Sequence, residues 1–160
     1  AINLSYQENY DKTVRYIIES AAEIEKCNNE TMDVWYNSIH KIDNDFSDTY
    51  TKDEDGNFYE DFNDALGEYL ESEKYKGYVS LSVAYQQDII ELLEKLHNPP
   101  KKYSQAYEEI LNLYNEYDEY YRLVIEFPSM SYKEYSEKTY EVDEELVKLY
   151  RRALLFSSYK

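Results

Sequence analysis

The sequence predicts an all-α protein: an elongated antiparallel four-helix bundle in which two long helices form a protruding hairpin. Three observations predict it. Only 3 glycines and 3 prolines occur in 160 residues, too little turn material for a sheet protein. Apolar residues recur at steps of three and four over long runs. Short segments with turn and capping signals separate those runs, which makes consecutive helices antiparallel neighbours. A chain of this length suits one domain (1–160) with a real core.

The first element is the stretch Leu4–Tyr50. Tyr10, Val14, Ile17, Ala21, Ile24, Asn28, Thr31, Trp35, Ile39, Ile42 and Phe46 keep one helical face turned to one partner surface, and no proline or glycine interrupts them. Such a helix would span about 70 Å. The stripe lapses where it falls on Asn28 and Thr31. Cys27 is the only cysteine, so no intrachain disulfide forms, and it reads as a small, partly buried hydrophobe.

A turn follows at Thr51–Asn57, and Asn57 with Glu60 predicts a capping box. The second helix is expected over about Phe58–His97. Phe58, Phe62, Leu66 and Tyr69 share a face, the pattern lapses over Glu71–Gly77, and it resumes from Val79 to Leu96. Pairing across a turn near residue 54 sets Asn28–Thr31 opposite 77–80. Both long helices weaken at one level, which predicts a polar layer or a bend.

Asn98-Pro99-Pro100 stops this helix and starts the next, because proline fits a first helical turn and not an interior. The third helix carries Tyr103, Tyr107, Ile110, Tyr114, Tyr117, Tyr121 and Val124. After the loop Phe127–Met130, Ser131 with Glu134 forms a capping box for a fourth helix with Tyr132, Tyr135, Thr139, Val142, Leu146, Leu149, Ala153 and Phe156. The last two helices are the shorter pair. They are expected to cover only part of the long hairpin, so that about 4–30 and 78–157 form the four-helix part and the hairpin, about 31–77, projects, with Trp35 near the loop Phe127–Met130.

Charge narrows the function classes. The 34 acids and 17 bases leave a formal charge of −17, which repels nucleic acid and anionic lipid and makes basic proteins or cations the natural electrostatic partners. No run has the length or apolarity of a membrane span, so no direct membrane insertion is expected.

The candidate docking surface is the acidic tip of the hairpin. Asp43, Asp45, Asp48, Asp53, Glu54, Asp55, Glu60, Asp61 and Asp64 stand against the single base Lys52, a formal charge of −8 within 43–64. With Gly56 as the sixth position of a calcium loop, Asp53 and Asp55 fit positions three and five, but Thr51 and Phe62 occupy positions one and twelve. That match fails where carboxylates matter most, and the plain reading of the turn is a solvated segment that resists aggregation. Tyr16, Tyr36, Tyr75, Tyr78 and Tyr120 lie off the main stripes and are the tyrosine candidates for recognition. His40 and His97 lie far apart, the paired Glu-x-x-His motifs that build di-iron bundles do not occur, and neither a metal, a cofactor nor catalysis is expected.

Leu96-His97-Asn98-Pro99-Pro100, followed by Tyr103, Tyr107, Leu111, Leu113-Tyr114 and Tyr117, then by a Pro-Ser-x-Ser loop and the Ser131-Tyr132 helix start, forms a pattern. Together with Trp35 it resembles uncharacterised helical extracytoplasmic proteins of Gram-positive bacteria, described as lipoproteins. The likeness covers about residues 30–150. Met130 stands where those proteins usually have glycine, and the lipid-attachment cysteine is absent. The resemblance implies a location outside the cell or anchored at its surface, and it carries no established activity. The sequence starts at Ala1, which leaves room for a leader or anchor upstream. The expected function is a non-catalytic extracytoplasmic binding or structural module whose acidic tip docks a basic protein or a cell-surface partner. The alternative is an intracellular acidic inhibitor that imitates nucleic acid and blocks a basic protein. That alternative needs carboxylates spread along a face, whereas here they concentrate at one end.

Overall fold

The computed structural model describes residues 2–158, with side chains from Ser5 onward. All regular elements among them are helices: α1 (Ile2–His40), α2 (Asp48–Thr51), α3 (Phe62–Leu70), α4 (Glu73–Leu96), α5 (Ser104–Val124, entered through a 3-10 turn at Lys101–Tyr103) and α6 (Tyr132–Leu154). The one bridge pair, Lys52 with Phe58, is isolated and antiparallel.

Helix α1 is the axis, touching α2, α3, α4, α5 and α6, while α5 and α6 also pack on each other. Its expected stripe is buried from Tyr10 to Trp35. The proline pair follows the end of α4 as read, but it lies ahead of the 3-10 turn Lys101–Tyr103 and not within a first helical turn, while the Ser131 cap acts as read. Ser131 accepts from the Glu134 amide at 3.1 Å and fixes the start of α6.

Tyrosine does the work that leucine does in most bundles, with one addition. Its ring fills the core and its hydroxyl reaches the end of a neighbouring helix, where four carbonyls lack a partner. Tyr6 Oη donates to the Leu96 carbonyl at 2.9 Å, at the end of α4. Tyr10 Oη donates to Ala153 at 2.8 Å, at the end of α6. Tyr75 Oη donates to Val124 and Ile125 at 3.2 and 3.0 Å, at the end of α5. The end of the chain is held too, because buried Asp11 accepts from the backbone amide and the hydroxyl of Ser158.

The polar layer lies at the level where both stripes lapse. Glu30 accepts from Tyr69 at 3.2 Å and Tyr78 at 2.7 Å and pairs with Lys74 at 3.0 Å. Thr31 donates back to the Cys27 carbonyl at 2.9 Å, the usual outlet for a buried hydroxyl within a helix. Burial pushes the Cys27 thiol up to about 12, which keeps it protonated and unreactive.

Two boundaries differ from the expectation, each for a local reason. Helix α1 stops at His40, not near Tyr50. Lys41 turns to a φ of 53°, and the Ile42 amide reaches back to the Asn37 carbonyl at 3.0 Å, which closes the helix. The expected unbroken helix 58–97 is two helices. Its break falls in the predicted lapse, where Ser72 donates to the Tyr69 carbonyl at 2.6 Å and accepts from the Tyr75 amide at 3.2 Å. One side chain thus ends α3 and caps α4. The α3 start is also shifted: Asp61, not the expected Asn57–Glu60 pair, caps it by accepting from the Asn63 amide at 2.9 Å. Segment 31–77 gives Val34, Trp35, Ala65, Leu66, Tyr69 and Tyr75 to the core.

Candidate functional site

The acidic connection between α1 and α3 is an ordered structure built from its own polar side chains. Asn44 starts it: Oδ1 accepts from the Phe46 and Ser47 amides at 3.1 and 3.0 Å, and Asp48 Oδ1 accepts from the Asn44 amide at 3.1 Å. This reciprocal pair winds the chain into α2. Asp53 builds the next turn, its Oδ1 accepting from the Asp55 and Asn57 amides at 2.9 and 3.0 Å. Gly56 supplies the φ of 82° that this turn needs.

The connection is also fastened to the core. Asn37 of α1 donates to Ser47 Oγ at 2.9 Å, and both side chains are buried. Phe46 and Tyr50 pack on Tyr69 of α3, with ring centroids 6.4 and 5.2 Å away. Sequence reasoning read Phe46 as one more residue of the α1 stripe and missed Tyr50. The run Asp43-Asn44-Asp45, rich in turn and cap formers, was the available signal for the change of direction.

The nine predicted carboxylates fall into three groups. Asp43 and Asp48 are tied to Lys52 Nζ at 2.6 and 3.4 Å, which raises the lysine pKa, chiefly through the hydrogen bond that Nζ donates to Asp43. Asp53 and Asp61 spend an oxygen on backbone amides. The side-chain carboxylates of Asp45, Glu54, Asp55, Glu60 and Asp64 are exposed and make no hydrogen bond or ion pair among the described residues. Tyr59 registers the crowding, its phenol raised by burial and then by Glu68, Asp53, Asp64 and Glu54. Among the described residues no set of three His, Cys, Asp or Glu side chains is placed to hold a metal ion.

The tyrosine candidates divide. Tyr75 and Tyr120 are buried core residues, which removes them from the recognition candidates. Tyr78 is half-buried and bonded to Glu30, and Tyr16 is half-buried in edge contact with Tyr85. Tyr36 alone of the five is exposed, between His40 and Tyr132. No helix is long and apolar enough to cross a membrane among the described residues. Comparison of the chain with protein-family models, with curated proteins and with solved structures finds no match.

Proposed function

We propose that the protein is a non-catalytic binding or structural module, an elongated four-helix bundle working outside the cell, that presents its acidic connection to a basic protein. The observation that carries the reading is the fastening of the charged segment. Asn37–Ser47 and the Phe46–Tyr50–Tyr69 rings hold the segment in place while five of its carboxylates stand in solvent. A surface held in place before binding loses less entropy when a partner docks. Crowded like charges on a rigid element also cost stability, which a bland solvated loop would avoid by staying mobile. The location outside the cell rests on the resemblance alone. A leader with a lipid-attachment cysteine in the gene product would support it, and a cytosolic start would sink it.

The docking surface is tested with an octalysine peptide. Wild-type protein is compared with Asp53→Asn/Glu54→Gln/Asp55→Asn and with a charge-matched control on the outer faces of α5 and α6, Glu108→Gln/Glu137→Gln/Glu141→Gln. The connection variant should lose most of the affinity and show a shallower salt dependence, while the control keeps both. Equal losses in the two variants would mean that the peptide senses only the overall charge. That outcome would favour a diffuse acidic decoy.

A further inference from the structure

Tyr36 is exposed beside the acidic connection, and it does not stand alone. Among the described residues, four of the ten exposed large apolar side chains gather at this end of the molecule: Tyr36 at 42%, Ile39 and Ile42 at 41% and Phe62 at 37%. Scattered apolar residues are ordinary on a surface, whereas a group of them marks a contact face. Ring contacts join its two ends. Phe62 stacks on Trp35 with centroids 6.4 Å apart, Trp35 meets Tyr132 at 5.5 Å, and Tyr132 meets Tyr36 at 5.9 Å. Ile39 follows Trp35 by one helical turn and extends the same side of α1, and Ile42 lies just past the turn at Lys41 that ends the helix. Trp35 itself is buried beneath them.

Charge decides what can cover this face. Asp61 and Asp64 flank Phe62, and Asp43 and Asp45 follow Ile42. At the other end, the Tyr132 phenol is raised by burial, by Tyr36 and then by Asp33, which sets the Asp33 charge near that ring. The bases beside the face are His40, Lys41 and Lys133, and of these five acids Asp43 alone has an ion pair among the described residues, with Lys52. An anionic membrane would be repelled. A second copy would bring its own carboxylates against these. A segment with large apolar side chains set between lysines or arginines satisfies both the rings and the rim, and an amphipathic helix presents that pattern. On the reading that the acidic connection docks a basic protein, on which this rests, we propose that the partner's docking segment is a basic amphipathic helix, its apolar stripe laid on Tyr36, Ile39, Ile42 and Phe62 and its bases on the neighbouring carboxylates. Such a contact keeps an apolar share that salt does not screen.

Trp35 is the only tryptophan, so its emission reports on this face. The test titrates the protein with a leucine–lysine peptide of about 18 residues, roughly five helical turns, at about 0.15 M sodium chloride. Its leucines follow the helical period, and a comparison peptide has the same composition in scrambled order. A saturable change in Trp35 emission is expected, with the scrambled peptide bound roughly tenfold more weakly. Ile39→Ser/Ile42→Ser should weaken the patterned peptide by a similar factor and bind octalysine like wild type. Neither side chain belongs to the core cluster, which keeps that variant folded, and Tyr36→Ser alone gives a second reading. Undiminished binding of the patterned peptide in both variants, or equal binding of the two peptides, would overturn the proposal. Octalysine binding that ignores Asp53→Asn/Glu54→Gln/Asp55→Asn would instead sink the docking reading beneath it.

Discussion

Tyr10 Oη donates a 2.8 Å hydrogen bond to the carbonyl of Ala153, joining the first third of α1 to the last turn of α6. The Tyr10 ring is fully buried, so water cannot replace the hydroxyl if it is removed. Tyr10→Phe keeps the ring and leaves the carbonyl with one donor, the Phe156 amide at 3.2 Å. It should cost about 0.5–1.5 kcal/mol in chemical denaturation. A loss below about 0.5 kcal/mol, the ordinary scatter for surface changes, would show that the bond contributes nothing.

Trp35 is 3% exposed, with Phe127, Tyr132 and Tyr135 rings 5.5–5.6 Å from it. Trp35→Ala should cost roughly 3–5 kcal/mol. The native fluorescence of this single tryptophan should be blue-shifted and protected from iodide. Red-shifted, freely quenched emission would place the ring in water.

Ser72 joins α3 to α4 through both its donor and its acceptor. Ser72→Ala should cost about 1 kcal/mol, and Ser72→Asp, which keeps only the acceptor, should recover part of it. Equal stability of the two variants would remove the cap from the account of this break.

Acid should stabilise the fold at first. Burial, then neighbouring acids, lifts the pKa of Glu25, Asp33, Glu116 and Asp143. The folded chain therefore holds these protons more tightly than the unfolded chain. Their favourable contribution is full below the unfolded values of about 4 and is lost as pH rises through the raised folded values. The melting temperature should rise between pH 7 and pH 5. A steady fall over that window would contradict the assignment.

Base should act through the tyrosines. Burial raises the phenols of Tyr10, Tyr69, Tyr75, Tyr117, Tyr120 and Tyr135. Their stabilising effect is complete below the unfolded value of about 10 and is lost above it, as the unfolded chain ionises first. Phenolate absorbance from this group should appear together with the loss of helical signal above pH 10. Full ionisation with the helices intact would show the rings to be accessible.

Much of the architecture was legible because spacing and stop signals carry it. Stripe positions from Tyr10 to Trp35, the stop before Pro99-Pro100 and the Ser131 cap all act as the residues suggest. Counting helix levels also placed Trp35 beside Phe127, 5.6 Å away. The connection was less legible, because Ile39, Ile42 and Phe46 continue the α1 period. What overrides that period is the local competition of Asn44, Asp48 and Asp53 for backbone amides, and periodicity does not weigh it. The burial of Tyr75 and Tyr120 was hidden for another reason. Their helices touch two neighbours, so the buried face is wider than one stripe. The pocket that Glu25 and Asn28 of α1, Tyr120 of α5 and Asp143 of α6 line draws on three helices and has no sequence signature.

The tyrosine hydroxyls at helix ends have a mechanical meaning. Packed leucines can slide past one another in steps of one turn, about 5.4 Å, and find equivalent holes. Tyr6, Tyr10 and Tyr75 each grip a carbonyl at one fixed height, at 2.8–3.2 Å. A slide of one turn would break all these grips at once. A tensile load along α1 is therefore borne in parallel by two separate latches, Tyr6 on the end of α4 and Tyr10 on the end of α6, so these helices should fail together under shear and not creep.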